Sequence, residues 1–316
     1  MAGVSIEARP GGTSLSVSDL RLKMGRRRRE GFVRRAFFAA ALVSILINVL
    51  IVVTLFDGTW DFLSRVELRL LWTDGWFPRR DMYDIKTILA GTMVVSVVAM
   101  IVATPLGLGA AIYLAEYASR GARRWLKPIL EVLAGIPSVV MGFFALTVLS
   151  PNIMQRIFDA GLFSLGAAGI GVGILITPLV ASVAEDAMFA VPGSLREASY
   201  GLGARKRATT IRVVFPAAVS GIVAALILGI SRAIGETLVV AIAAGGTGGS
   251  LFTIDPRQQG QTMTAAMTAL ATGSDQVKGA TLAFPSLFFV GALLFFMTLA
   301  LNVMSERFVR RVRRRY

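Results

Sequence analysis

The sequence contains no cysteine and no histidine. The first absence rules out disulfides and thiol chemistry, and the second removes the commonest metal ligand and the usual general base near neutral pH. Charge is scarce too: 16% of the 316 residues are Asp, Glu, Lys or Arg, against 55% hydrophobic. Soluble domains rarely combine such values, so a bilayer is the expected solvent for most of the chain. There are only five lysines, and none follows a glycine. The G-x4-G-K-[S/T] loop that cradles nucleotide phosphates is therefore missing. No convincing carboxylate pair or serine–lysine arrangement stands out, which leaves an intramembrane enzyme little to work with. No metal or cofactor is implied.

What the sequence does have is long apolar runs. They recur at about 36–56, 85–115, 128–150, 165–185, 213–245 and 281–304, each long enough to cross a bilayer as a helix of roughly 20 residues. The expected fold class is all-α, a polytopic membrane protein with six transmembrane helices. Pro105, Pro137 and Pro178 fall within these runs, where they are expected to kink the helices. Residues 1–35 read as a basic, mostly disordered cytoplasmic arm. Residues 36–304 form the transmembrane domain and 305–316 a basic cytoplasmic tail.

The formal net charge of +14 is a matter of topology. Twenty-four of the 33 Lys and Arg residues lie in the two termini and the 116–127 and 186–212 loops, and eight in the loops between. An even number of spans with both termini cytoplasmic satisfies the positive-inside rule and requires no nucleic-acid partner. The remaining basic residue is Arg232, within the fifth run, with Glu236 four residues on. A charge at bilayer depth costs about 2.5–3.5 kcal/mol even on lenient scales, so the two are expected to face a bundle interior or a water-filled path. The stripe Gly221, Ala225, Gly229, Ala233 is expected to pack on a neighbouring helix and leave the charged face for a cavity. A guanidinium suits a tetrahedral oxyanion, and Glu236 can orient it or accept a hydrogen bond from a protonated oxygen.

Weaker signals lie elsewhere. Trp60, Trp72 and Trp76 in the 57–84 loop read as an interfacial aromatic belt. The "GGTGG" run at 245–249 reads as a turn, or as a nest of N–H groups for an arriving anion. Ser138, after Pro137, is a candidate lining residue of the path, and a structural kink is an equal reading. Glu131, Glu185 and Asp186 are assigned to the inner membrane surface without a catalytic role.

The 191–216 loop, "VPGSLREASYGLGARKRATTIRVVFP", is longer than a plain helix connection. Ser194 and Glu197 have the spacing of a capping box before a short helix that ends at Gly201 or Gly203. Glu197-Ala198-Ser199, Gly203 and Val213-x-Phe215-Pro216 resemble the E-A-A-x3-G-x9-I-x-L-P loop of ABC-importer permeases, with mild changes at 199, 213 and 215. The segments "LAGIPSVVMGFFAL", "SRAIGETLVVAIAAG" and "TMTAAMTALA" are similar to the phosphate-specific (Pst) importer permeases, more to PstC than to PstA.

That resemblance implies a type I ABC-importer permease fold and import of inorganic phosphate. The implied partners are a paralogous permease subunit in a heterodimer, two ATP-binding subunits, and an extracytoplasmic phosphate-binding protein. It further implies a multi-pass protein of the bacterial plasma membrane that is not itself an enzyme. Arg232, Glu236 and Ser138 would line the substrate path, and Glu197, Ala198, Ser199, Gly203 and Ala204 would couple to the ATPase. Another oxyanion such as sulfate or molybdate, and an ion-coupled secondary transporter, stand as alternatives.

Overall fold

The computed structural model describes residues 24–246, 248–273 and 282–313. The first part of the N-terminal arm, Thr247 of the glycine run and the last three residues of the tail lie outside the described residues. The chain divides into two compact units, Met1–Thr54 and Leu55–Tyr316.

The first unit consists of the helix α1 (Met24–Arg65) as far as Thr54. Phe37, Phe38, Leu46 and Leu50 are all exposed, as are most of the apolar side chains between them. A helix that is apolar all round belongs in lipid or in a core. The residues 24–35 assigned to the arm are part of this helix.

The second unit begins with the end of α1, followed by a two-stranded antiparallel hairpin, β1 (Trp76–Phe77) and β2 (Met82–Tyr83), in which Trp76 faces Tyr83. Next come α2 (Ile85–Ile112), continued by a π-helical turn at Tyr113–Tyr117, and α3 (Arg120–Ala134). The third span is built from α4 (Ser138–Phe144), a π-helical stretch at Ala145–Gln155 and α5 (Arg156–Phe158). Then follow α6 (Leu165–Phe189), α7 (Gly193–Gly201), α8 (Lys206–Thr209), a π turn at Thr210–Val214, and α9 (Phe215–Ile234). After these come α10 (Leu238–Ala243), α11 (Met263–Ala271) and α12 (Ala283–Arg313). Among the described residues six helical segments are long and apolar enough to cross a membrane.

The centre of the unit is the seam between α2 and α6. Val95, Ala99 and Ala103 pack with Ala168, Val172 and Ile176 in one buried cluster. Gly169 and Gly173 permit close approach: a Cβ would lie 2.6 Å from Val98 at the first and 2.8 Å from the Ala99 carbonyl oxygen at the second. In a membrane such small residues let helices approach until dispersion contacts hold them, because lipid gives apolar association little driving force.

Three expectations need correction. The third span starts at Ser138 and not near 128, because Gly135 and Pro137 end one helix and start another. The preceding α3 is amphipathic, with no buried residue, and is pinned by Arg123 to Glu185 and by Lys127 to Glu185 and Asp186. Its hydrogen bonds, first to Asp186 and then to Glu185, push the Lys127 ammonium above its ordinary value. Pro137 is therefore a helix-start residue, whereas Pro105 and Pro178 lie inside α2 and α6. The tryptophans do not form one belt. Trp60 and Trp72 are exposed, but Trp76 is fully buried against Tyr83, in one cluster with Phe62.

Candidate functional site

The fifth span is interrupted where the sequence suggests a continuous helix. Its α9 ends at Ile234, Gly235 caps it, and α10 begins only at Leu238. Gly235 and Thr237 are weak helix formers, and the peptide between them is held from outside: the Thr264 hydroxyl of α11 donates to the Glu236 carbonyl at 2.7 Å. The broken element nevertheless keeps its course along α6. Gly221 lies against Ala187 and Gly229 against Val180, and beyond the break Val239 lies against Gly171. The small-residue stripe packs as expected, with Ala225 and Ala233 buried.

These contacts set the depth of the charges. Arg232 and Glu236 fall level with the part of α6 between Gly171 and Val180, the middle of a 25-residue helix about 37 Å long. Glu236 is buried, its side chain 5% exposed, whereas the Arg232 side chain is 58% exposed. Their closest polar atoms are 3.9 Å apart, a loose pair that leaves the guanidinium donors open. Beside them Ser231 Oγ is buried without a hydrogen-bond partner among the described residues.

The start of α11 supplies more polar groups than the sequence suggested. Thr262 caps α11, its hydroxyl lies 3.0 Å from that of Thr264, and Thr92 of α2 accepts from the Met263 N–H at 3.0 Å. A cavity of about 330 Å³ opens beside the break, lined among others by Gly235, Thr237, Thr264 and Thr268. A wider one of about 730 Å³ lies at the end of the bundle away from α7, bordered by Phe77, Asp159, Asp255 and Arg257. There the Arg257 guanidinium and N–H hold the Asp255 carboxyl below the usual carboxylate range. Ser138 starts α4, half-buried; the structure gives it no side-chain hydrogen bond to Arg232 or Glu236. Its helix meets α10 further along, where a Cβ on Gly142 would lie 2.9 Å from Ile242.

The glycine run is a packed turn. Gly245, Gly248 and Gly249 have φ of 75°, 91° and 113°, a region that L side chains rarely adopt. Gly245 faces Phe163, and Gly249 faces Phe77 and the Trp76 carbonyl, so close approach is a sufficient reason for both.

At the other end α7 has no buried residue. Glu197 and Ala198 are exposed, Ser199 and Ala204 are half-buried, and Gly203 turns the chain with φ of 78°. The capping box does not form: the helix starts at Gly193 after Pro192, so Ser194 lies inside it and no side chain caps the first turn. Leu202, 90% exposed, and the exposed Leu195 and Tyr200 are apolar side chains that the E-A-A pattern did not mark. Arg196 also escaped the sequence reading. Its guanidinium donates to Glu116 Oε1 at 2.8 and 3.1 Å and to the carbonyls of Met188 and Val191.

Known proteins resemble this chain in sequence and fold. A probable ABC transporter permease, YqgH of Bacillus subtilis, is 34% identical over 74% of this chain and 78% of its own. The phosphate transport system permease PstC of Pasteurella multocida is 29% identical over 88% of this chain and 90% of its own. A permease chain in the crystal structure of a bacterial alginate ABC transporter with its periplasmic protein superposes with a TM-score of 0.62 at 15% identity, covering 90% of this chain and 97% of that one. At that identity the likeness speaks for the fold alone, the multi-pass fold of ABC-importer permeases. A family model described as the inner membrane component of binding-protein-dependent transport systems matches residues 103–316, so this chain belongs to the binding-protein-dependent transport permeases.

Proposed function

We propose that this chain is the PstC-type permease subunit of an importer of inorganic phosphate in the bacterial plasma membrane. The observation that carries the reading is the break that ends α9 in the fifth span, level with the middle of α6. It presents a half-exposed, loosely paired Arg232 on a buried carboxylate. An exposed guanidinium at that depth faces either lipid or a polar path, and only the path is favourable. Planar donors match phosphate oxygens two at a time, and the buried Glu236 keeps the cation in place.

The path has two halves, one from this chain and one from a paralogous permease subunit. The 730 Å³ cavity opens outward, toward an extracytoplasmic binding protein that delivers the anion. Both termini and α7 face the cytoplasm, in keeping with the basic residues on that side. The ATPase belongs to two separate subunits that take up α7 through Leu195, Tyr200 and Leu202, with Glu197, Ala198, Ser199, Gly203 and Ala204 shaping the contact. Closure of those subunits on ATP moves α7 and opens the path outward, and hydrolysis returns it. Ser138 stays a pathway residue in this reading, placed at the start of α4. The domain limits proposed are 1–35, 36–304 and 305–316.

Uptake of radiolabelled phosphate by importer-deficient cells that express the whole complex tests the reading, with and without excess unlabelled sulfate. Uptake that resists sulfate is expected. Uptake abolished by sulfate would replace phosphate with a broader oxyanion cargo, and uptake that survives loss of the ATPase subunits would point to an ion-coupled carrier.

A further inference from the structure

The exposed helix α7 has no buried residue, yet it must be anchored if it is to move anything. Two of its side chains provide the anchors. Ser199 Oγ lies 2.9 Å from Thr209 Oγ1 at the start of the fifth span. Arg196 reaches two further spans at once. Its Nη1 donates to the Val191 carbonyl at 2.6 Å and its Nη2 to the Met188 carbonyl at 2.8 Å, in the last turn of α6 and just beyond it. A cation is favoured there by the negative end of the helix dipole. Nε and Nη2 both donate to Glu116 Oε1, within the π-helical turn that ends α2.

The Glu116 side chain is 3% exposed and that of Arg196 20% exposed. Separating them would strand a buried carboxylate, so the guanidinium has to travel with the end of α2. At its far end the same helix holds Thr92, which accepts from the Met263 N–H beside the broken fifth span. Helix α2 thus touches the α7 loop at one end and the surroundings of the pathway charges at the other.

We infer that Arg196 and Glu116 form the link through which displacement of α7 is passed to α2 and α6, and so to the pathway. They are positioning residues: neither needs to touch substrate or nucleotide. The assignment rests on the proposal that α7 receives the ATPase subunits.

The test uses the complete importer in proteoliposomes, with phosphate uptake and ATP hydrolysis measured on the same vesicles. For Glu116→Gln and Arg196→Gln, uptake per ATP is expected to fall about ten-fold while hydrolysis stays within about two-fold, and the double variant should be no worse than either single. Unchanged uptake per ATP in both single variants, or losses that simply add, would overturn the link. If either variant fails to assemble, Arg196→Lys decides. It keeps the charge but loses the fork, so uptake per ATP should drop about three-fold or more, and an unchanged ratio rejects the inference.

A cysteine-free chain allows a separate check of the parent reading, in which Leu202→Cys is cross-linked to the ATPase subunits. Absence of any cross-link removes the docking proposal and this link with it. Cross-linking together with normal coupling in Glu116→Gln removes the link alone.

Discussion

Two arginine–glutamate pairs lie at different levels of this molecule and are built in opposite ways. Arg196 is well satisfied: a shared carboxylate oxygen and two carbonyls take up four of its five donors, and little of its side chain meets solvent. Arg232 is left open, with 58% of its side chain exposed and its carboxylate 3.9 Å away. A guanidinium with most of its bonds made is part of the frame, whereas one held by a single distant carboxylate can accept an anion. Which kind of pair forms is decided by the backbone around it. Arg196 sits where α6 ends and the carbonyls of Met188 and Val191 can accept from it; Arg232 sits just before a break, with one carboxylate 3.9 Å away.

The sharpest way to break the contrast is to remove the open cation. Arg232→Ala should lower phosphate uptake about 100-fold, the loss of one or two charge-assisted hydrogen bonds, while the complex still copurifies; uptake within a few-fold of the wild type would return Arg232 to a structural role. The two pairs are joined through the α2–α6 seam, so overfilling it is the next test. Gly173→Leu would push a side chain toward the Ala99 carbonyl, and overpacking of this kind costs about 1–3 kcal/mol. A lowered thermal midpoint and poor assembly are expected, and an unaffected midpoint would mean that the seam is looser than its contacts indicate.

Smaller effects refine the open pair. Glu236→Gln should keep the side-chain shape but lose the charge and one of the acceptors for the protonated oxygen that phosphate carries and sulfate lacks. The preference for phosphate over sulfate should fall about ten-fold, since a site that pairs donor with acceptor discriminates steeply. Equal selectivity in the variant would leave Glu236 as an orienting group only.

The smallest effect expected is at the loop that carries Asp255 and Arg257. Asp255 has a depressed pKa in the folded chain, owing to its bonds to Arg257, so its contribution is present above the ordinary carboxylate value and lost as pH falls through the lower folded one. Asp255→Asn should flatten the acid limb of a thermal-midpoint titration slightly. Because the pair is solvent-exposed, a large change would mean that this loop bears more of the fold than its contacts show.

Much of the membrane architecture was legible because it depends on composition over long windows. Five of the six spans lie within or close to the apolar runs, and the packing of Gly221, Ala225, Gly229 and Ala233 followed from their four-residue spacing. The interruption at Gly235 was not legible, since the residues on both sides are apolar and the break is secured by Thr264, 28 positions further on. Trp76 looked like an interfacial residue because a two-residue hairpin leaves almost no periodic signal. Ser194 and Glu197 have capping-box spacing, but Pro192 and Gly193 start the helix earlier.

The sequence by itself determined that the chain spans a membrane, which loops carry the positive charge, and that Arg232 and Glu236 would be costly at depth. Hydropathy and charge act residue by residue and can be summed along the chain. Only the tertiary structure decided which arginine is open and which is tied down, because that depends on carbonyls and carboxylates brought from other helices. Glu116 lies 80 positions from Arg196, and no local pattern could have joined them.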